Sequence, residues 1–218
     1  IVNTTPDSFS DGGRFLEAGA AVDRALRLAE EGADLVDVGG ESTRPGAPPV
    51  PAEEEIRRVV PVVERLRARG FPLPISVDTA KGAVARAALA AGADLVNDVS
   101  ALGDPGLARA CAGAGVPVVL MHMRGTPADM QSRAVYGDVV AEVARELELA
   151  LARAEAAGIP RDRTILDPGI GFAKTAEQSL ALLARVGELR ALGRPLLVGP
   201  SRKSFIGKVT GAEVGERL

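Results

Sequence analysis

At 218 residues, with 46% hydrophobic and 25% charged residues, the chain has the composition of one globular domain with a sizeable core. A net charge of −3 excludes general attraction to nucleic acid or anionic membrane, so any anion site must be local. The single cysteine, Cys111, excludes an internal disulfide and suits a reducing cytoplasm, and no apolar run approaches the ~18 residues of a membrane span.

The first element opens at once, with Ile1–Val2 running as a strand into Asn3 and the polar stretch TTPDSFSDGG. No initiating Met and no signal-peptide pattern precede it, so the chain reads as part of something longer. One unit then recurs. An Ala/Leu/Arg/Glu-rich helical run ends at Gly, the residue suited to a left-handed helix terminus, and a short apolar strand follows. LRLAEEGADLVDVGG (26–40) and AALAAGADLVNDVS (87–100) echo one another as duplicated βα units do. Further strands are expected at Leu35–Val38, Ile75–Val77, Leu95–Val96, Val116–Met121, Thr164–Leu166 and Leu196–Val198. Their nearly continuous apolar character implies a parallel sheet covered by helices. Between them the 3.6-residue pattern is plain, as in Val139, Val140, Val143, Leu147 and Leu151.

Strict βα alternation leaves an open doubly wound sheet or a closed (β/α)8 barrel. No GxGxxG follows the first strand, and seven regular units favour a (β/α)8 TIM barrel as one domain over residues 1–218. The start of strand 1 and the whole of strand 8 are then absent from this chain.

In such a barrel the chemistry sits at the C-terminal ends of the strands. Those ends carry Asn3, Asp37 with GGESTRPGA, Asp78–Thr79, Asn97–Asp98, His122, Asp167 with PGIGFAK, and GPSRKS. An Asp at one strand end is as well explained by capping the next helix. The set Asp78, Asn97, Asp167 and Lys203 is not, because carboxylates, an amide and an ammonium converge on one pocket. Such a set reads the donor–acceptor edge of a flat, guanidine-like heterocycle. Only four of the 26 basic residues are Lys, and two of these, Lys174 and Lys203, lie just past strand ends. A compact point charge is the property Arg lacks. Lys203 is the stronger candidate, and Lys174 also reads as a residue that merely leads into a helix.

ESTRPGA (41–47) offers hydroxyls, backbone amides and the Arg44 fork to a phosphate. It also reads as a Pro-stiffened loop with Arg44 in a surface ion pair. His122, the only histidine, excludes a multi-His metal site or a His-based triad and reads as a packed, hydrogen-bonded residue. Flanking Met121 and Met123 offer an apolar floor for a flat ring. A hard-cation site built from oxygen ligands stays open, with Mg²⁺ needing few protein ligands beside a diphosphate. Cys111 reads as a buried structural thiol.

Taken together, NTTPDSFSDGG, DVGGESTRPGA, ISVDT, VNDVS, LMHMRGTPADMQ, DPGIGFAK and GPSRKSFIG resemble, in order and over almost the whole chain, the dihydropteroate synthase family of pterin-binding enzymes. Thr4 departs from the apolar residue usual in the first motif. The resemblance implies a cytoplasmic, homodimeric TIM-barrel enzyme of folate biosynthesis. It would condense 6-hydroxymethyl-7,8-dihydropterin diphosphate with 4-aminobenzoate by an SN1-like displacement in which Mg²⁺ assists diphosphate departure. Asp78, Asn97, Asp167, Lys203 and Met121 would hold the pterin, and Asn3 would ligate Mg²⁺. Thr43 and Arg44 would contact diphosphate or aminobenzoate, and Phe9, Phe172 and Ser201 would shape the aminobenzoate site. Asp11, Asp167 and Lys203 would act at the reacting carbon. The loop 4–13 would close as a lid hinged at Gly12–Gly13. The family's Arg-x-His phosphate anchor on strand 8 lies outside these residues. Three alternatives share parts of this pattern: a methyltetrahydrofolate:corrinoid methyltransferase domain, a noncatalytic pterin-binding paralogue, and a Schiff-base aldolase using Lys203.

Overall fold

A computed structural model describes residues 1–4, 14–44 and 46–217. Residues 5–13 of the expected lid, with Phe9, Asp11 and the Gly12–Gly13 hinge, lie outside the described residues. The elements in chain order are β1 (Val2–Asn3), α1 (Arg14–Glu30), β2 (Val36–Gly39), α2 (Ala52–Ala68), β3 (Ile75–Asp78), α3 (Gly82–Ala90) and β4 (Leu95–Asp98). Then follow α4 (Pro105–Ala114), β5 (Val118–Met121), α5 (Val139–Ala156), β6 (Thr164–Asp167), α6 (Ala176–Ala184) and α7 (Ser204–Thr210). All six strands are parallel and stand in sequential order. Helices α1 to α4 each pack on the next, as do α5 on α6 and α6 on α7. A sequential sheet wrapped by a sequential row of helices is the arrangement of a (β/α)8 barrel, not of a doubly wound sheet, whose strand order reverses.

The expected strand boundaries shift: β1, β3, β4 and β6 run on to Asn3, Asp78, Asp98 and Asp167. β2 runs on to Gly39, so Asp37 lies inside the strand and not at its end. β5 starts at Val118 and leaves Val116 and Pro117 outside. The expected strand Leu196–Val198 is reduced to one parallel bridge, Leu166 to Leu196. Two hydrogen bonds flank it, Leu166 N–H to Pro195 O at 2.9 Å and Leu197 N–H to Leu166 O at 2.8 Å. The segment pairs with β6 on one side, and Leu197 and Val198 remain 36% and 37% exposed. A ladder with a partner on one side only is the weakest place for a strand to persist.

The strand face turned to the helices is mainly apolar. Val2, Val36, Val38, Ile75 and Val77 pack with Ala18, Ala21 and Ala25 of α1 and Val59, Val62, Val63 and Leu66 of α2. Val96, Val118, Leu120 and Leu166 pack with Leu107 and Cys111 of α4, Val143 and Leu147 of α5 and Leu182 of α6. The many Ala residues on the helix faces allow close approach to the sheet. Cys111 is fully buried here, and burial pushes its thiol up to about 12, as expected of an inert structural residue. Among the described residues no helix is long and apolar enough to cross a membrane.

Asp104 joins two helix starts. One oxygen accepts from Gly106 N–H at 2.7 Å to cap α4, and the other accepts from Gly82 N–H at 2.6 Å at the start of α3. Gly82 has no alternative side chain, because a Cβ there would run into the Gly106 backbone. Asp104→Ala is expected to cost about 2 kcal/mol, the upper end for losing a cap, because it strips acceptors from two helices at once. A urea denaturation midpoint checks it.

Candidate active site

Paired residues of adjacent parallel strands point to the same face, and the next residue points to the other. The register pairs Asn3 with Gly39, Gly39 with Asp78, and Asp78 with Asn97. Asn97 pairs with Val119, Val119 with Ile165, and, two residues on, Met121 pairs with Asp167. Asn3, Asp78, Asn97, Met121 and Asp167 therefore share the face turned away from the helices, at the C-terminal ends of their strands. Asp37 and Ser76, themselves paired, share that face one layer below. Asp98 and His122 take the other face. Asp98 is fully buried and closes its own loop, accepting from Ser100 N–H at 2.8 Å and Leu102 N–H at 2.6 Å. These bonds hold Ala101 and Leu102 at φ 49° and 65°.

Asp37, which reads in the sequence only as a strand end and not as a member of the pocket set, belongs to the face turned away from the helices. Its Oδ2 accepts from Asn97 Nδ2 at 3.1 Å, which orients the amide. Its Oδ1 is buried with no hydrogen-bond partner among the described residues. Burial raises the pKa of Asp37, against hydrogen bonds that lower it. Asp78 is held well above the usual carboxylate range, first by burial and then by the charges of Asp37, Glu55, Asp98 and Glu41. Two crowded carboxyls with an orphan oxygen form an acceptor-rich surface short of donors. A heterocycle edge bearing several N–H groups supplies what is lacking.

On the opposite side, Asp167 is lifted to about 6 by burial, against the pull of the Gly169 N–H, Lys203 and Lys174. Its Oδ1 accepts from Gly169 N–H at 2.7 Å. Lys203 lies with its ammonium 3.9 Å from the centroid of the Phe172 ring. Burial lowers its pKa, opposed by the charges of Asp167 and Asp78. Phe172, Asp167 and Lys203 are thus brought together.

Lys174 departs from the reading of a residue that merely leads into a helix. It is 3% exposed, and its Nζ lies 2.9 Å from His122 Nδ1 and 3.0 Å from both Gly169 O and Phe172 O. His122 is buried and hydrogen-bonded, as its sequence context suggests, with Nε2 2.9 Å from Glu146 Oε2. Burial and the Lys174 charge lower its pKa to about 4, so the ring is neutral.

Thr43 and Arg44 sit on the β2–α2 loop, Thr43 half-buried and Arg44 exposed. The base of that loop is anchored. Glu41 accepts from Val50 N–H at 2.7 Å and from Lys81 Nζ at 2.6 Å, and Lys81 also pairs with the fully buried Glu55. Arg58 donates to Gly40 O at 2.9 Å. Ser201 is exposed beside Arg202, which adopts φ 59°. Asn3 is exposed at the mouth of β1. Thr4, the departure from the usual motif, turns to the buried side, where its hydroxyl donates to Gly39 O at 3.0 Å.

The sequence model of the family described as "Pterin binding enzyme" matches residues 1–218. A protein of Synechocystis named dihydropteroate synthase is 49% identical over 210 residues, covering 96% of this chain and 72% of its own length. The crystal structure of Xanthomonas albilineans dihydropteroate synthase with 4-aminobenzoic acid superposes with a TM-score of 0.93 at 56% identity, covering 100% of this chain and 78% of that one. The same enzyme in complex with 7,8-dihydropteroate gives 0.88 at 52% identity over 100% of this chain and 77% of that one.

The chain belongs to the dihydropteroate synthases of the pterin-binding enzyme family. These are transferases that condense a dihydropterin diphosphate with 4-aminobenzoate in folate biosynthesis. The inward line of Asp78, Asn97 and Asp167 is a surface of the right chemistry for such a dihydropterin.

The Asp167 carboxyl has a cost for stability that can be measured. In the folded chain it holds its proton up to about pH 6, against an ordinary value of 3.8. Between these values folding takes up a proton, so this group's contribution to stability falls as pH rises. Asp167→Asn removes the charge yet still accepts from Gly169. The variant is expected to be more stable than the parent above pH 7, by about 1–3 kcal/mol, with the difference gone near pH 4. Urea midpoints across that range check this, and a variant less stable than the parent at high pH contradicts it.

Proposed function

We propose that this chain binds 6-hydroxymethyl-7,8-dihydropterin diphosphate on the inward faces of β3, β4 and β6 and joins it to 4-aminobenzoate. The observation that carries the reading is the shared register of Asp78, Asn97, Met121 and Asp167 on the helix-free face. Asp78 and Asp167 accept from the pterin N–H groups, and the Asn97 amide, oriented by Asp37, reads both a donor and an acceptor. Met121, 3% exposed and paired with Asp167, lies against the flat ring.

The reaction breaks the bond between the pterin CH2 carbon and the diphosphate oxygen, forms a bond from that carbon to the arylamine nitrogen, and releases one proton. As the C–O bond lengthens, positive charge grows on the pterin and negative charge on the leaving group. The Asp167 carboxylate favours the first, and the Lys203 ammonium and the Arg44 fork favour the second. Thr43, on the same loop as Arg44, donates its hydroxyl to a diphosphate oxygen. An arylamine is a nucleophile near neutral pH, so a strong base is not required. Phe172 and Ser201 border the aminobenzoate.

Among the described residues no cluster of three or more His, Cys, Asp or Glu side chains offers a complete metal cage. Asn3 supplies a single hard oxygen at the mouth of β1. That donor set fits Mg²⁺, which takes its remaining ligands from diphosphate and water. Held by Asn3, the ion would supply positive charge against the diphosphate.

The decisive test is synthesis of dihydropteroate from the two substrates with and without Mg²⁺; absence of product with both substrates and the metal present sinks the reading. Asn3→Ala is expected to weaken Mg²⁺-dependent diphosphate binding at least about tenfold while leaving binding of the pterin alone nearly unchanged. Isothermal titration with each ligand separates the two. Equal loss of both would make Asn3 a structural residue.

A further inference from the structure

The segment between β6 and α6 has a backbone it does not adopt for free. Gly169, Gly171 and Ala173 all stand in the left-handed region, at φ 66°, 80° and 49°. Ala173 has a Cβ and so carries a steric cost there. A Cβ at Gly169 would run into the His122 carbonyl, so the segment lies directly against the end of β5. Something must hold it. The N-terminal end is held by the Asp167 carboxylate on Gly169 N–H, and a turn is closed by Phe172 N–H on Gly169 O at 3.0 Å.

The C-terminal end is held by Lys174. Its Nζ has three close acceptors, His122 Nδ1 at 2.9 Å and Gly169 O and Phe172 O at 3.0 Å, with His122 O more distant at 3.5 Å. An ammonium has three N–H donors, one for each of the three close acceptors, whereas a neutral amine has two and leaves one of them bare. Nδ1 can accept only if the ring proton is on Nε2, and that proton goes to Glu146 at 2.9 Å. Glu146 is gripped in turn by Arg124, which also bonds Glu142 at 2.8 Å. The chain Glu146–His122–Lys174 thus ties α5 and β5 to the two carbonyls that bracket Phe172. The same Phe172 ring covers the Lys203 ammonium at 3.9 Å.

We propose that Lys174 is a positioning residue whose ammonium latches the 168–174 segment to the end of β5 and so holds the Phe172 ring against Lys203 beside the aminobenzoate. Its aminobenzoate part rests on the function proposed above; the latch itself does not. A Lys fits where Arg would not, since three acceptors converge on one nitrogen at 3% exposure.

The latch is sensitive to pH. Burial lowers the Lys174 pKa to about 7. The groups facing it are His122 and Arg124 from the β5 side, Glu146 from α5, Asp167 from β6 and Lys203 from the loop before α7. Asp167 and Glu146 favour its proton, and Arg124 and Lys203 oppose it. As pH rises through that value the ammonium is lost and one acceptor is left bare, so the segment loosens on the alkaline side.

Two variants of the intact protein test this. Lys174→Met is expected to raise KM for 4-aminobenzoate at least about tenfold, while dihydropterin diphosphate binding by titration changes less than about threefold. Hydrogen exchange in the 168–174 segment, corrected for intrinsic rate, is expected to speed up. In the parent, KM for aminobenzoate and that exchange rate are expected to rise together above pH 7. Glu146→Gln removes a charge that favours the Lys174 proton but keeps an acceptor for His122 Nε2, so the rise is expected to begin at lower pH. Unchanged KM and exchange in Lys174→Met, or a pH onset unmoved in Glu146→Gln, overturns the proposal. If Lys174→Met does not fold, Glu146→Gln decides alone. If the parent makes no dihydropteroate, the functional reading fails, whereas exchange needs no substrate and still judges the latch.

Discussion

In a parallel sheet the side chains of paired residues stand side by side on one face, and the chain has no freedom to send one of them elsewhere without slipping the register. Here a slip by one residue would turn Val77, Val96 and Leu120 inward and expel Asp78 and Asn97 into the helix layer. The apolar contacts with α1 to α6 thus fix the position of the polar groups on the other face. The site inherits its precision from a core it does not touch. The two-residue step between the Asn97 line and the Met121–Asp167 pair has the same origin, since the same face recurs only every second residue.

Once these groups are fixed, water can no longer solvate them fully. Asp37, Asp78 and Asp167 are all raised by burial, while Lys203 and Lys174 are lowered by it. Each shift reports a charged form held at a disadvantage in the folded chain. The acids crowd together around Asp78, so the disadvantage is greatest where positive or donor groups are fewest. A ligand rich in N–H donors on one edge and anionic at its far end reverses both deficits. Under the function proposed here it would bring donors to Asp78 and negative charge to Lys203 and Arg44. Such a site is built against the stability of the bare protein and in favour of the occupied one.

Much of this was legible in the sequence, for a physical reason. Strand ends in a barrel of this kind are where the chain passes from apolar runs to polar loops, and that change of composition survives without coordinates. Asp78, Asn97 and Asp167 were readable because each is the inward residue at such a change. Asp37 reads as a strand end but stays out of the pocket set, because its strand runs one residue past Val38 to Gly39, and Gly carries no hydrophobic signal to mark the continuation. The parity rule would have recovered it, since Asp37 is two residues before Gly39, the partner of Asp78. The seventh strand was legible as an apolar run, but a run does not say whether both of its edges find a partner.

The two lysines past strand ends show where composition stops and geometry begins. Their scarcity in an Arg-rich chain marked both as places where a point charge matters. Their roles diverge because of what converges on each nitrogen. Around Lys203 the recorded contact is the Phe172 ring face, with the charges of Asp167 and Asp78 acting on it, which leaves donors to offer a ligand. Around Lys174 three close acceptors of the protein itself use every N–H. No local pattern separates the two cases, because those acceptors are backbone carbonyls, present at every residue, and a histidine 52 positions away. A residue that acts through the backbone is silent in a motif even when the motif contains it.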